Sequence, residues 1–170
     1  MITTRRLTLR PFTDADAPAV QRLAGAREVA LNTLLIPHPY PDGAAESWIA
    51  SHGQGGELVF AIDDGQLVGA MGLIIDRLHD RAEIGYWIGV PFWGRGYATE
   101  AAAAVVRCGF EEHRVNRIFA QVFRRNPASA RVLQKVGMRY EGTLRQHVKK
   151  WDEYVDVDSY GILRGDWNAG

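Results

Sequence analysis

Alternating polar and apolar positions first appear near the amino terminus, where residues 6–12 predict a strand. A Thr-Asp pair then offers a helix cap, and the apolar spacing of residues 15–23 predicts a short helix. Three prolines within residues 36–43 remove backbone donors and exclude regular structure there. A second helix is predicted over residues 44–51. The first quarter of the chain therefore predicts one strand followed by two helices.

The middle of the chain predicts consecutive β-strands. Residues 58–62 and 66–75 are apolar segments joined by Asp-Asp-Gly, which is a strong hairpin signal. Residues 82–90 are rich in β-forming side chains and lead into a glycine-rich turn. Residues 101–107, with four consecutive alanines, predict a helix after that turn.

The last third of the chain predicts a strand, a helix and a strand pair. Residues 117–123 predict the strand, and Asn126 followed by proline predicts a capped helix that a glycine ends at position 137. Residues 138–148 and 154–163 predict the final pair. Because hairpins outnumber β-α-β units in this order, we expect an α/β fold with a mixed sheet.

Composition narrows the class of protein. A length of 170 residues suits a single domain, residues 1–170, and 46% hydrophobic with 24% charged residues is ordinary for a globular protein. The formal net charge of +0 gives no reason to expect nucleic acid or a membrane as partner. The amino terminus lacks an apolar signal core, so a cytoplasmic location is expected. The five histidines show no metal-ligand spacing, so no metal is expected.

The glycine-rich turn, residues 93–100 (Trp-Gly-Arg-Gly-Tyr-Ala-Thr-Glu), is the most informative motif. Glycines let the backbone bend close to a ligand, and a helix start presents unpaired N–H groups at its positive end. This combination favours a phosphate site, with N–H groups from Gly94 through Thr99 as donors. No lysine follows as in a P-loop, and a dinucleotide fingerprint fits poorly. An ordinary strand–helix turn is the alternative reading of the motif alone.

Two motifs together resemble the GNAT superfamily of N-acetyltransferases. The family pattern Gln/Arg-x-x-Gly-x-Gly/Ala fits Gly96 and Ala98, whereas Trp93 stands in place of the usual Gln or Arg. The segment from Asn126 through Met138 is similar to the family's Asn-x-x-Ser…Leu-x-Lys-x-Gly-Phe. The opening residues 4–11 and the Tyr-Trp-Ile-Gly strand are similar to the RimJ/RimL-like branch of ribosomal-protein N-terminal acetyltransferases.

The resemblance implies a cofactor site for acetyl-CoA and a β-α-α-β-β-β-α-β-α-β-β fold whose central strands splay apart. The turn would bind the pyrophosphate, and the edge of the splayed strand would bind the pantetheine arm as an added strand does. A backbone N–H near this edge would stabilise the developing oxyanion. The implied cofactor-binding residues are Ile88, Gly89, Val90, Gly94, Arg95, Gly96, Tyr97, Ala98, Thr99, Asn126 and Ser129.

Proton transfer is assigned by the same resemblance. Glu83 is the expected general base and a substrate-binding residue, with a surface carboxylate paired to arginine, or a base acting through water, as alternatives. Leu133 stands where many relatives have a tyrosine that acts as the general acid for the departing thiolate. In the resembled branch this role is assigned to the serine of Asn-x-x-Ser, which is Ser129 here. The alternative for Ser129 is a local capping group. Tyr40 and Trp48 are expected either in the acceptor pocket or in the core.

The predicted function is acetyl transfer from acetyl-CoA to a primary amine in a ternary complex. The acceptor is a protein N-terminal α-amine, a polyamine, an amino-sugar antibiotic or another small amine. The sequence does not choose among them, because the acceptor pocket is formed by helices and loops that vary within a fold. One alternative is a CoA-binding sensor or interaction module without catalysis. Another is a different acyl donor, such as succinyl-CoA. A homodimer is implied by analogy with the family.

Overall fold

Eight strands and five α-helices are found in residues 1–53 and 55–167, the part of the chain that the computed structural model describes. The strands are β1 (Ile2–Thr3), β2 (Thr8–Arg10), β3 (Glu57–Asp63), β4 (Leu67–Asp76), β5 (Arg81–Ile88), β6 (Arg117–Phe123), β7 (Arg139–Lys150) and β8 (Glu153–Leu163). The α-helices are α1 (Ala17–Ala24), α2 (Arg27–Leu31), α3 (Ala44–Ala50), α4 (Tyr97–Glu111) and α5 (Pro127–Lys135).

The strands form one mixed sheet in the order β1-β2-β3-β4-β5-β6-β8-β7. Every neighbouring pair is antiparallel except β5 and β6, which are parallel and pair only at Arg81/Arg117, Ala82/Ile118 and Glu83/Phe119. Beyond Glu83 the two strands separate. Both the mixed sheet and the splayed central strands expected from the sequence are confirmed.

Helices cover both faces of the sheet beside this splay. A methyl group on Gly109 of α4 would lie 2.7 Å from Ile118 Cδ1, so α4 packs tightly on one face. A methyl group on Gly89 would lie 2.8 Å from Leu23 Cδ2 of α1. Because side chains alternate between faces along β5, Gly89 and the buried Ile84 point to opposite sides. Thus α1 and α4 sandwich the centre of the sheet.

All of the predicted strands and helices are present, and two short elements were missed. These are β1, with two residues, and α2, with five, and neither is long enough to establish a periodic pattern. The predicted strand 82–90 ends at Ile88, because Val90 begins a short 3-10 helix that contains a proline. Within the described residues, no helix combines the length and apolarity needed to cross a membrane.

Candidate active site

The glycine-rich turn connects the end of β5 to α4 and carries unpaired donors. Gly94 and Gly96 adopt φ values of +76° and +80°, which glycine tolerates and other residues rarely adopt. Gly96 is the N-cap of α4 and supplies no side-chain cap. None of the N–H groups of residues 94–99 donates to another described residue. The turn therefore presents a row of free donors at the positive end of a helix, a suitable site for an anion.

Side chains support the turn from outside and leave these donors free. Glu100 accepts from the Thr4 hydroxyl at 2.7 Å and from the Arg6 guanidinium at 2.7 Å, so its carboxylate points away from the turn. Burial acts to raise the pKa of Glu100, but the hydrogen bonds from Thr4 and Arg6 outweigh it and lower the pKa. Arg6 also donates to the Arg95 carbonyl at 2.9 Å, and the Tyr97 hydroxyl donates to Asp64 at 2.6 Å.

A cavity of about 380 Å³ lies where the turn, the splayed strand β5, α5 and the end of α2 meet. The predicted cofactor residues that line it are Ile88, Gly94, Gly96, Tyr97, Ala98, Thr99, Asn126 and Ser129. The lining residues that were not predicted as site residues include Val29, Asn32, Thr33, Tyr86, Trp87, Arg131 and Lys135. Two motifs that are distant in sequence thus meet around one space.

Gly89, Val90 and Arg95 lie outside this lining. The Gly89 N–H donates to the Val68 carbonyl at 2.9 Å, and the Gly89 carbonyl accepts from Phe92 at 2.9 Å. The expectation of Gly89 as a backbone partner of the cofactor is therefore corrected, because its N–H is already used within the sheet. The Arg95 guanidinium lies 5.4 Å from the centre of the Phe92 ring.

Ile88 is the residue of β5 whose backbone faces the splay beside the turn. In an antiparallel pair, alternate residues direct their N–H and C=O groups toward the neighbouring strand. Since Gly89 bonds to β4, the polar backbone groups of Ile88 point to the opposite side, toward β6. The Trp93 indole N–H donates to the Ile88 carbonyl at 2.7 Å. Trp93, which replaces the Gln or Arg of the family pattern, therefore holds the last residue of β5 in place.

Tyr86 and Ser129 form a hydroxyl pair at the cavity, with their oxygens 2.6 Å apart. Asn126 accepts from the Ser129 N–H at 3.3 Å and so caps α5, as predicted. Burial raises the pKa of Tyr86 to about 12, although the hydrogen bond with Ser129 opposes that rise. Tyr86 was not predicted as a site residue, but strand alternation from Ile88 could have indicated it, because both share one face of β5.

Glu83 lies on the opposite face of β5 from Tyr86, at the last residue pair before the strands separate. Its side chain is half-buried, and its carboxylate forms no ion pair or hydrogen bond with the described residues. Burial raises the pKa of Glu83, and the positive charge of Arg81 opposes part of that rise. Glu83 does not line the cavity itself. It lies beside the point where β5 and β6 separate.

Tyr40 and Trp48 do not line this cavity, and both pack against the hydrophobic core, which was the alternative expected for them. Trp48 on α3 packs against Phe12 and His52, with ring centres 5.0 and 4.4 Å apart. The Tyr40 side chain packs beside Gly25 at the end of α1. Packing beside α1 and α3 therefore accounts for both rings, and residues at the end of α2 line the cavity.

Two cations mark the α5 side of the cavity. Arg131 and Lys135 are four residues apart on α5, on the same face of the helix, and neither forms an ion pair with a described residue. No carboxylate lines the cavity within the described ranges. One group of side chains with metal-ligand chemistry, Cys108, Glu112 and His113, lies near the end of α4 and outside the cavity lining.

Several known proteins resemble this chain in sequence and in fold. The family model described as an acetyltransferase (GNAT) domain matches residues 6–139. The uncharacterized N-acetyltransferase YnaD of Bacillus subtilis is 32% identical over 171 residues, a match that covers 98% of this chain and 99% of YnaD. A GNAT-family acetyltransferase from Bacillus anthracis superposes with a TM-score of 0.87 at 26% identity, covering 96% of this chain and 98% of that one.

Spermidine N-acetyltransferase from Vibrio cholerae, solved with CoA and spermine, shares the fold with a TM-score of 0.84 at 24% identity, covering 96% of this chain and 98% of that one. Its complex shows that the same fold binds CoA in that protein. The family match spans most of this chain, including both strands of the splay and the glycine-rich turn. By sequence and by fold, the chain belongs to the GNAT family of acetyltransferases.

Proposed function

We propose that this protein transfers an acetyl group from acetyl-CoA to a primary amine by direct attack in a ternary complex. The observation that carries the proposal is the row of unpaired N–H groups over residues 94–99, at the edge of a cavity that opens into the splay. These donors suit a pyrophosphate, because they combine hydrogen bonding with the positive end of α4.

The remaining parts of the cavity fit the rest of CoA. A carbonyl of its pantetheine arm matches the backbone N–H of Ile88, which faces the splay, whereas the Ile88 carbonyl already accepts from the Trp93 indole N–H. Arg131 and Lys135 supply positive charge for a phosphate on the α5 side. When bound, acetyl-CoA supplies an activated thioester. The protein's own residues then need to orient the amine, accept its proton and protonate the departing thiolate.

The two proton transfers are carried out by different residues, on opposite faces of β5. Glu83, with its raised pKa, accepts a proton from the amine, directly or through water. The hydroxyl of Ser129 faces the cavity and donates toward the thiolate, while Tyr86 holds that hydroxyl at 2.6 Å. Because burial keeps the pKa of Tyr86 near 12, its hydroxyl stays protonated throughout the neutral range.

Replacing Tyr86 with phenylalanine is expected to lower kcat about tenfold, because Ser129 loses the hydroxyl that orients it. The affinity for acetyl-CoA should change little, since the turn is untouched. Steady-state rates and calorimetry measure the two quantities. Tyr140, an exposed tyrosine on β7 outside the cavity, provides the matched control, Tyr140→Phe. An unchanged kcat in Tyr86→Phe contradicts this role.

The uncharged acceptor side favours an amine without a second positive charge. We assign Val29, Asn32, Thr33 and Trp87 of the cavity lining to this side, and among the described residues no carboxylate lines the cavity. A second ammonium group would be desolvated without a partner, at a cost in free energy. We therefore expect kcat/KM to be about tenfold higher for a tripeptide with a free amino terminus than for spermidine. Initial rates of CoA release measure this ratio, and a preference for spermidine contradicts it.

Release of free thiol from acetyl-CoA across a panel of amines tests the proposal itself. The panel comprises spermidine, an L-amino acid, an amino sugar and tripeptides with different first residues. Turnover of any of them at a rate above hydrolysis supports the enzyme. Tight binding of CoA with no amine acetylated favours the second candidate, a CoA-binding module without catalysis. Competition between acetyl-CoA and succinyl-CoA in calorimetry identifies the acyl donor.

The branch assignment rests on two further sequence motifs. Placement in the RimJ/RimL-like branch depends on residues 4–11 and on the Tyr-Trp-Ile-Gly end of β5. A ribosomal-protein substrate would follow only from that branch. The homodimer and the cytoplasmic location stay predictions.

A further inference from the structure

The acceptor wall, defined here as residues 27–36, consists of α2 and the segment after it. Val29, Asn32 and Thr33 of this wall line the cavity. Its internal hydrogen bonds are local, such as the Asn32 amide to the Glu28 carbonyl at 3.0 Å and the Thr33 hydroxyl to the Val29 carbonyl at 3.0 Å. A helix of five residues is not stable by itself, so contacts from elsewhere must hold the wall in place.

Lys150 provides the first of these contacts. It is the last residue of β7, and although it is a lysine it is only 4% exposed. Its ammonium donates to the Leu34 carbonyl at 3.2 Å and to the Ile36 carbonyl at 2.9 Å. No carboxylate among the described residues pairs with it. A buried ammonium group is costly without partners, and here two carbonyls of the acceptor wall are those partners.

Arg125 provides the second contact, from the loop between β6 and α5. Its guanidinium donates to the Leu31 carbonyl at 3.0 Å, where α2 ends, and to the Glu153 carboxylate on β8 at 2.7 Å. The next residue, Asn126, caps α5 and lines the cavity. Cations are favourable at the carboxyl end of a helix. Together the two side chains bind three carbonyls of the wall, those of Leu31, Leu34 and Ile36, to the β7–β8 hairpin and to the loop before α5.

We propose that Lys150 and Arg125 are positioning residues that fix the acceptor wall and thereby set the affinity for the amine. This inference rests on the proposed acetyl transfer. Neither residue lines the cavity, so each acts through the main chain of residues 31–36 and not by touching a substrate. The cofactor side should be unaffected by loss of the Lys150 contact, because the glycine-rich turn is supported by Arg6 and Asp64 instead.

The test compares Lys150→Met with Lys149→Met, which removes the same charge from the neighbouring exposed residue. Amide hydrogen exchange over residues 31–36 is expected to quicken about tenfold in Lys150→Met and to stay unchanged in Lys149→Met. With the tripeptide that the wild type acetylates fastest, the acceptor KM should rise about fivefold in Lys150→Met. The dissociation constant of acetyl-CoA, measured by calorimetry, should stay within about twofold.

The exchange measurement separates this inference from the proposed function, because it needs no turnover. Unchanged exchange in Lys150→Met overturns the inference, and so does quicker exchange with an unchanged acceptor KM. A wild type that acetylates no amine overturns the proposed function and with it the role in acceptor affinity. Should Lys150→Met not fold, Arg125→Met removes the bond to Leu31 together with the ion pair to Glu153, and the same increases in exchange and KM are expected there. Lys150→Arg keeps a donor, so its exchange rate over residues 31–36 and its acceptor KM should be close to those of the wild type.

Discussion

Replacing Gly96 with glutamate is expected to abolish binding of acetyl-CoA, with a loss in affinity of about 100-fold or more. Gly96 has a φ of +80° and is the N-cap of α4, and its own N–H is one of the free donors of the turn. A side chain there is strained, and its carboxylate would place negative charge where the helix dipole and the N–H groups now favour an anion. Isothermal titration with acetyl-CoA measures the loss.

A matched control separates strain from repulsion. Gly43 is also a helix N-cap, for α3, with a φ of +76° and open space where a side chain would begin. Gly43→Glu therefore introduces the same backbone strain and the same charge far from the cavity, and it should bind acetyl-CoA as the wild type does. The affinity of Gly96→Ala for acetyl-CoA should lie between those of Gly96→Glu and Gly43→Glu, because alanine adds strain without charge. If Gly96→Glu binds acetyl-CoA with wild-type affinity, the turn is not the anion site.

Replacing Glu83 with glutamine is expected to lower kcat about 100-fold at neutral pH, within the range typical of a lost general base. The acceptor KM should change much less, because glutamine keeps the shape and the hydrogen-bonding capacity of the side chain. Initial rates over a range of amine concentrations give both constants. The control is Glu57→Gln, which changes an exposed glutamate at the start of β3.

The pH dependence gives a second, independent measure of Glu83. A base must be deprotonated to act, and burial raises the pKa of Glu83 above its ordinary value. The rate should therefore fall as the pH drops through that raised pKa, and it should recover as the pH rises again. In Glu83→Gln this acidic limb should disappear, leaving a low rate that is nearly flat. An acidic limb that persists unchanged in the variant would assign it to another group.

The elements that the sequence predicted are those encoded by local signals. Capping by Asn126, the hairpin between β3 and β4, and the glycine-rich turn each depend on residues within a few positions of one another. For the same reason the prediction of an anion site at residues 94–99 needed no knowledge of the rest of the fold. Glycines that adopt positive φ and a helix start are visible in the sequence itself.

The parts that escaped prediction depend on contacts between distant segments. The pairing of Tyr86 with Ser129 joins β5 to α5 across 43 positions of sequence. The packing of Trp48 against Phe12 joins α3 to the loop after β2, 36 positions earlier in the sequence, and no local pattern indicated it. Gly89 was expected to serve the cofactor, but its N–H belongs to the ladder with β4. Sequence patterns show which residues lie on one face of an element, but not which neighbour that face meets.

The parting of β5 and β6 after Glu83 also affects the energetics of the whole molecule. A wedge-shaped gap in the middle of a sheet forgoes the cross-strand hydrogen bonds that would otherwise join its two halves. A peptide-like guest inserted there restores some of those bonds, and it does so only in the folded chain. If acetyl-CoA binds there as proposed, ligand occupancy and resistance to denaturation are thermodynamically linked, and the molecule is most robust when the cofactor is abundant.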